Sequence, residues 1–138
     1  MNRSDVQALA RLRAANARCL LDNGRFDGAY YLAGYVVECA LKACIARNVQ
    51  QYDFPDRDAV NRSYTHNLNQ LLEIAGLRAQ LAADGKADTT LLSNWNNHVT
   101  KWSERSRYET HGQAEARELY DAVSDPAHGV FQWLLRHW

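Results

Sequence analysis

The chain has 138 residues and a formal net charge of zero at pH 7, with 16 basic and 16 acidic side chains. This length fits one domain and is too short for two of ordinary size, so we expect a single domain over residues 1–138. Proteins that bind nucleic acids or anionic membranes through bulk charge carry an excess of basic residues. The balanced total excludes such a binder. The balanced total is still compatible with a local cationic patch, since the 16 basic side chains are 13 Arg and 3 Lys.

The three cysteines, Cys19, Cys39 and Cys44, form no C-x-x-C pair. Each falls in an apolar helical pattern, which predicts reduced core residues of a cytoplasmic protein. The first ten residues lack the apolar segment of a signal peptide. No uninterrupted apolar run reaches about 18 residues, so we predict no membrane span.

Apolar residues recur at three- and four-residue steps through most of the chain, which predicts an all-α fold. Ser4 and Thr65 are candidate N-caps, and Gly24 and Gly76 are candidate stop signals. Pro126 is expected to kink the last helix without ending it, because the apolar phase continues beyond it. The five predicted helices cover about residues 4–22, 26–47, 66–75, 89–103 and 113–138.

Three polar segments between these helices are predicted to be loops: "QQYDFPDRDAVNRSYT", which contains Pro55, "ADGKADTT" and "ERSRYETHGQ". The order of helices and loops predicts an up-and-down bundle of four main helices plus a short third helix.

The second predicted helix is apolar on nearly every side, yet it carries Glu38 and Lys42 one turn apart. Such a helix belongs at the centre of a bundle or at a subunit interface. A carboxylate there must be paired, because an isolated buried charge costs several kcal/mol. We therefore expect Lys42 and an Arg from the loop before the last helix to pair with Glu38. The group is then either a structural ion pair or the support of an Arg in a phosphate-facing cleft.

The densest polar cluster, "ERSRYETH", contains Arg105, Arg107, Tyr108 and His111. Arg can hold a phosphate, Tyr can stack on a base, and His can transfer a proton near neutral pH. Such residues could bind a nucleotide or cleave RNA without a metal. In the structural alternative, Tyr108 packs into the core and the arginines are solvated.

His66 opens the short helix in "SYTHNL". A charged His is disfavoured at a helix N-terminus, so we expect His66 to be neutral and hydrogen-bonded. The His, Cys, Asp and Glu residues show no metal-ligand spacing, so no metal or other cofactor is predicted.

Four segments together resemble the HEPN domain family, whose name refers to higher eukaryotes, prokaryotes and nucleotide binding. They are "GAYYLAGYVVECALKACIAR", "YTHNLNQLLEIAGL", "SRYE" and "GVFQWLLRHW", and the resemblance covers about residues 4 to 138. It implies an all-α bundle, usually a homodimer, with a cleft near the two-fold axis. It also implies nucleotide or RNA binding, often beside a minimal nucleotidyltransferase partner in a toxin–antitoxin or defence system.

Many members of this family are metal-independent RNases whose motif is an Arg, four to six residues, and then a His. Arg105 and His111 enclose five residues, whereas Arg107 and His111 enclose three. The resemblance therefore implies Arg105 and His111 as the catalytic pair. A polar residue, often Asn, usually follows the Arg in the nucleases, and here it is Ser106.

Three functions stay open at this point. The first is a nucleotide- or RNA-binding module, the second is the RNase, and the third is a non-catalytic dimerising or adaptor protein. The adaptor would associate through the Ala- and Gly-rich face of the second helix or the aromatic end of the last. The residues expected to bind nucleotide or RNA are Glu38, Lys42, His66, Arg107 and Tyr108.

Overall fold

The computed structural model describes residues 1–51 and 57–138, and in these ranges it confirms the all-α bundle. The described part contains eight α-helices and two 3₁₀ helices, more than the five predicted. The α-helices are α1 (Arg3–Asp22), α2 (Phe26–Gln51), α3 (Arg57–Arg62), α4 (Leu68–Ile74), α5 (Arg78–Ala87), α6 (Thr89–Asn97), α7 (Gln113–Ser124) and α8 (Val130–Leu135). The 3₁₀ helices are η1 (Val99–Lys101) and η2 (Glu104–Tyr108).

Helix α2 is the central element of the bundle. It packs along α1 and also contacts α4, α7, α8 and η2. Its length and hydropathy would suffice to cross a membrane, but 72% of the apolar window is buried inside the fold, as in the core helix of a soluble protein. Its small-residue face, at which a dimer contact is predicted, is also covered within the chain. The buried residues of this face are Ala29, Ala33, Val36, Ala40 and Ala43.

Two of the segments predicted to be loops contain α-helices, and the third contains η2. Helix α3 occupies part of the first polar segment, whereas Pro55 lies outside the described residues. Helix α5 runs through the segment "ADGKADTT" as far as Ala87. A Cβ atom on Gly85 would lie 3.0–3.2 Å from the Leu92 side chain, so the glycine lets α5 and α6 pack closely. Tertiary packing here overrides the low helix propensity of glycine.

The last predicted helix is broken rather than kinked, because α7 and α8 are separated by a turn at Pro126. A residue before proline is disfavoured in the helical region, and Asp125 adopts φ −53° and ψ 127°. Its carboxylate accepts a hydrogen bond from the His128 amide at 2.6 Å. Gly129 completes the turn, since a Cβ there would lie 2.5 Å from the Asp125 carbonyl oxygen.

The predicted fourth helix also ends early, because α6 is followed by η1 and η2. Trp102 lies between them in an extended conformation. Its Nε1 donates a hydrogen bond to the Tyr31 carbonyl oxygen at 3.2 Å. Its ring covers Gly34, where a Cβ atom would lie 2.3 Å from three ring atoms. This packing holds the segment against α2 and places η2 beside α4.

The predicted burial of the cysteines is confirmed at two positions and wrong at the third. Cys39 and Cys44 are buried on α2, whereas Cys19 is exposed on α1. The buried stripe of α1 runs through Ala17 and Leu21, and Cys19 lies midway between them on the opposite side of the helix.

Candidate functional site

Glu38 lies in the core with only 2% of its side chain exposed, and it has two basic partners. Its Oε1 forms a hydrogen bond with His66 Nδ1. The Lys42 Nζ atom lies 3.6 Å from the same oxygen. The expected Arg partner is therefore wrong, because the imidazole that precedes α4 occupies its place. Helix α4 packs on α2 and brings His66 to this carboxylate.

The His66 ring, which precedes α4, contacts α2 through one ring nitrogen and η2 through the other. Its Nδ1 atom is hydrogen-bonded to the Glu38 carboxyl group on α2. The Nε2 atom lies 3.4 Å from the Glu104 Oε2 atom on η2. The turn carrying the ring is held locally, since the Asn67 side chain caps α4 by accepting from the Gln70 amide at 3.0 Å. Asn67, rather than the predicted Thr65, is therefore the cap residue.

A cleft of about 210 Å³ opens between the start of α4 and the η1–η2 segment. We call it the α4–η2 cleft. Three residues with charged or titratable side chains line it: His66, Glu104 and Arg105. Trp102 forms an apolar wall, and Asn67 adds a polar group. The cleft thus combines a cation, an anion and an imidazole in one depression.

Arg107 and Tyr108 lie on the same 3₁₀ helix but outside the lining of this cleft. Tyr108 is 80% exposed, so it does not pack into the core as in the structural alternative. The Arg107 guanidinium carbon lies 4.9 Å from the centre of the Tyr108 ring. The neighbouring Tyr108 side chain raises the pKa of Arg107. Both residues belong to η2, the helix that contributes Glu104 and Arg105 to the cleft.

His111 lies in a different environment from Arg105. Its ring stacks on Tyr30 with 3.8 Å between the ring centres, and Nδ1 lies 2.8 Å from Glu115 Oε2. Its amide donates to the Asp27 carboxylate at 2.5 Å. The depression it lines lies at the start of α2, whereas Arg105 lines the α4–η2 cleft. Within the described part of the chain, the two residues implied as a catalytic pair thus line different depressions.

Glu104 is the functional candidate that sequence reasoning missed. Glu104 is the first residue of the polar cluster "ERSRYETH". Its position in the cleft depends on a short 3₁₀ helix, which helical periodicity does not predict. The available signal was Ser103, whose side chain accepts from the Arg105 amide at 3.3 Å and marks the start of η2. Among the residues that the structure describes, no group of three or more His, Cys, Asp or Glu could hold a metal ion.

Comparison with known proteins identifies no matching family model, curated protein or solved structure. The resemblance of the four sequence segments to the HEPN family therefore stays a prediction.

Proposed function

We propose that the chain binds a nucleotide or single-stranded RNA at the α4–η2 cleft. The observation that carries this proposal is the succession of groups along η2. Arg105 lines the cleft, and Arg107 and the exposed Tyr108 ring follow on the same short helix. A guanidinium group can bind phosphate through two parallel hydrogen bonds. Exposed aromatic and guanidinium groups provide stacking surfaces for unpaired bases.

The hydrogen bonds that hold η2 and the segment before it in place support the same proposal. Ser106 is buried, and its hydroxyl donates to the Ser103 carbonyl oxygen at 2.7 Å. On the preceding side, the Trp102 ring is held against α2 by its hydrogen bond to Tyr31. A surface that is already ordered loses less conformational entropy when it binds a ligand. The arginines therefore stand on a supported segment and not on a free loop.

Binding is favoured over the RNase reaction implied by the Arg105–His111 spacing. That reaction needs the guanidinium and the imidazole at one phosphate, and the two side chains line separate depressions. His111 is also largely enclosed, with 8% of its side chain exposed. The same binding mixtures, separated on a denaturing gel, would reveal any cleavage.

The proposal is tested by fluorescence anisotropy with a labelled single-stranded RNA of about ten nucleotides. Arg105→Ala and Arg107→Ala should each weaken binding by about tenfold at low salt, because each removes a charge-assisted hydrogen bond to phosphate. Each should also make the slope of log affinity against log salt shallower by about 0.7, the value for neutralising one phosphate of a single strand. Arg117→Ala is the matched control, since it removes an exposed Arg of α7 that does not line the cleft.

Two results would contradict the proposal. The first is a wild-type protein that binds neither the RNA nor a mononucleotide competitor. The second is an equal loss of affinity in Arg117→Ala and Arg105→Ala, which would indicate charge alone without a localised site.

A further inference from the structure

A carboxylate stands next to the arginine in the cleft that we propose for phosphate. Glu104 and Arg105 are consecutive residues and both line the α4–η2 cleft. An ionised carboxylate repels a phosphate bound to its neighbour, since like charges a few ångströms apart interact unfavourably. A cleft that recognised phosphate alone would bind it better without Glu104. The presence of this carboxylate therefore favours a ligand that carries a hydrogen-bond donor as well as a phosphate.

Glu104 has capacity to accept such a bond. Its interaction with His66 Nε2 is long, at 3.4 Å, and 43% of its side chain is exposed. A carboxylate has about four lone-pair sites, so this interaction leaves most of them open. The His66 ring beside Glu104 is hydrogen-bonded through its other nitrogen, Nδ1, to the buried Glu38. The structure thus holds an open acceptor beside Arg105.

We infer that Glu104 accepts a hydrogen bond from a ribose hydroxyl, so that the cleft takes ribonucleotides and RNA in preference to DNA. This inference rests on the proposed function. Ribose is the part of a nucleotide that carries hydroxyl donors close to the phosphates. The 2′-hydroxyl is also the group by which a protein distinguishes RNA from DNA. Arg105 would bind the phosphate, and Glu104 the adjoining sugar.

The test compares two labelled decamers, oligo(U) with ribose and oligo(dU) with deoxyribose, which differ only in the 2′-hydroxyl. We expect the wild type to bind the RNA about tenfold more tightly, the effect of one hydrogen bond to a charged group. Glu104→Ala should weaken RNA binding and leave DNA binding unchanged or tighter, because it removes both the acceptor and the repulsion. The RNA-to-DNA affinity ratio should then fall to about one.

Three further variants separate this role from a structural one. Glu104→Gln keeps the shape of the side chain and should lower the ratio only in part. Arg105→Ala should weaken both ligands and preserve the ratio. Glu109→Ala removes the same charge just beyond η2, outside the cleft lining, and should leave the ratio unchanged. A loss of fold would weaken both ligands together, and circular dichroism would report it.

The outcomes distinguish this inference from the proposed function. Equal wild-type affinity for both decamers, with Arg105→Ala still weakening them, would overturn ribose recognition and leave nucleotide binding intact. A ratio unaffected by Glu104→Ala would overturn the assignment to this residue. Binding to neither decamer would remove both proposals. Competition by UMP but not dUMP would support recognition of the free ribonucleotide, whereas competition by the RNA decamer alone would support an internal 2′-hydroxyl.

Discussion

Gly34→Ala tests the packing that places η2 at the cleft. In the structure a Cβ atom at this position would lie 2.3 Å from three ring atoms of Trp102. Neighbouring non-bonded carbon atoms normally lie about 3.5–4.0 Å apart, so the ring would have to move by more than about 1 Å. Trp102 is buried and its Nε1 is hydrogen-bonded to Tyr31, so the ring cannot move without breaking that bond and disturbing the core.

The expected loss of stability follows from three terms. Forcing an extra methyl group into a packed core costs about 1–3 kcal/mol. Breaking the Trp102 hydrogen bond costs about 0.5–1.5 kcal/mol. Replacing glycine by alanine inside a helix returns about 1 kcal/mol. The free energy of unfolding should therefore fall by about 0.5–3.5 kcal/mol.

Urea denaturation followed by circular dichroism measures this change. Gly28→Ala on the same helix is the matched control, because its Cβ would meet only the flexible end of Leu20, at 3.0 Å. The control should be neutral or slightly stabilising. Gly34→Ala should also weaken RNA binding, since Trp102 lines the α4–η2 cleft. If Gly34→Ala proves as stable as Gly28→Ala, the Trp102 ring does not lie against Gly34 and does not hold η2 in place.

The exposed Cys19 thiol should react with a thiol reagent in the native protein. Burial raises the pKa of Cys39 to about 11 and that of Cys44 to about 12, so these two thiols should react only after unfolding. Titration of more than one thiol at native rates would contradict this. The hydrogen bond between His128 and Asp88 raises the pKa of His128 above 6.5 and lowers the pKa of Asp88 below 3.8. The raised pKa of His128 contributes stability below pH 6.5, and this contribution is lost as the pH rises through the folded pKa. The lowered pKa of Asp88 contributes stability above pH 3.8, and this contribution is lost as the pH falls through its folded pKa. The melting temperature of His128→Asn should therefore differ from that of the wild type more at about pH 5 than at about pH 8.5, and equal differences would refute the pairing.

Where the helices stop was harder to predict than where they lie. The apolar phase continues past Pro126 because α7 and α8 both pack on α2, although the backbone between them turns away from a helix. The polar segment that contains Gly85 is predicted to be a loop, yet this glycine allows α5 and α6 to approach. At Pro126 the local backbone preference ends the helix, whereas at Gly85 tertiary packing keeps the helix intact. Hydrophobic periodicity alone does not show which of the two effects decides where a helix ends.

The candidate site shows the same division. Burial of Glu38 and its need for a partner followed from the apolar surroundings of the second helix. The identity of that partner did not, since His66 lies 28 residues away and reaches the carboxylate only because α4 packs on α2. Arg105 and His111, close in sequence, line different depressions because η2 and the segment after it run along different parts of the fold.

The sequence by itself determined the helical class and the apolar faces of the helices, because helical periodicity reports which side of each helix is removed from water. The tertiary structure alone decided which polar groups meet. Whether side chains far apart in the chain touch depends on how whole helices pack, and that packing brings Glu38, His66 and Glu104 together in a line from the core to the cleft.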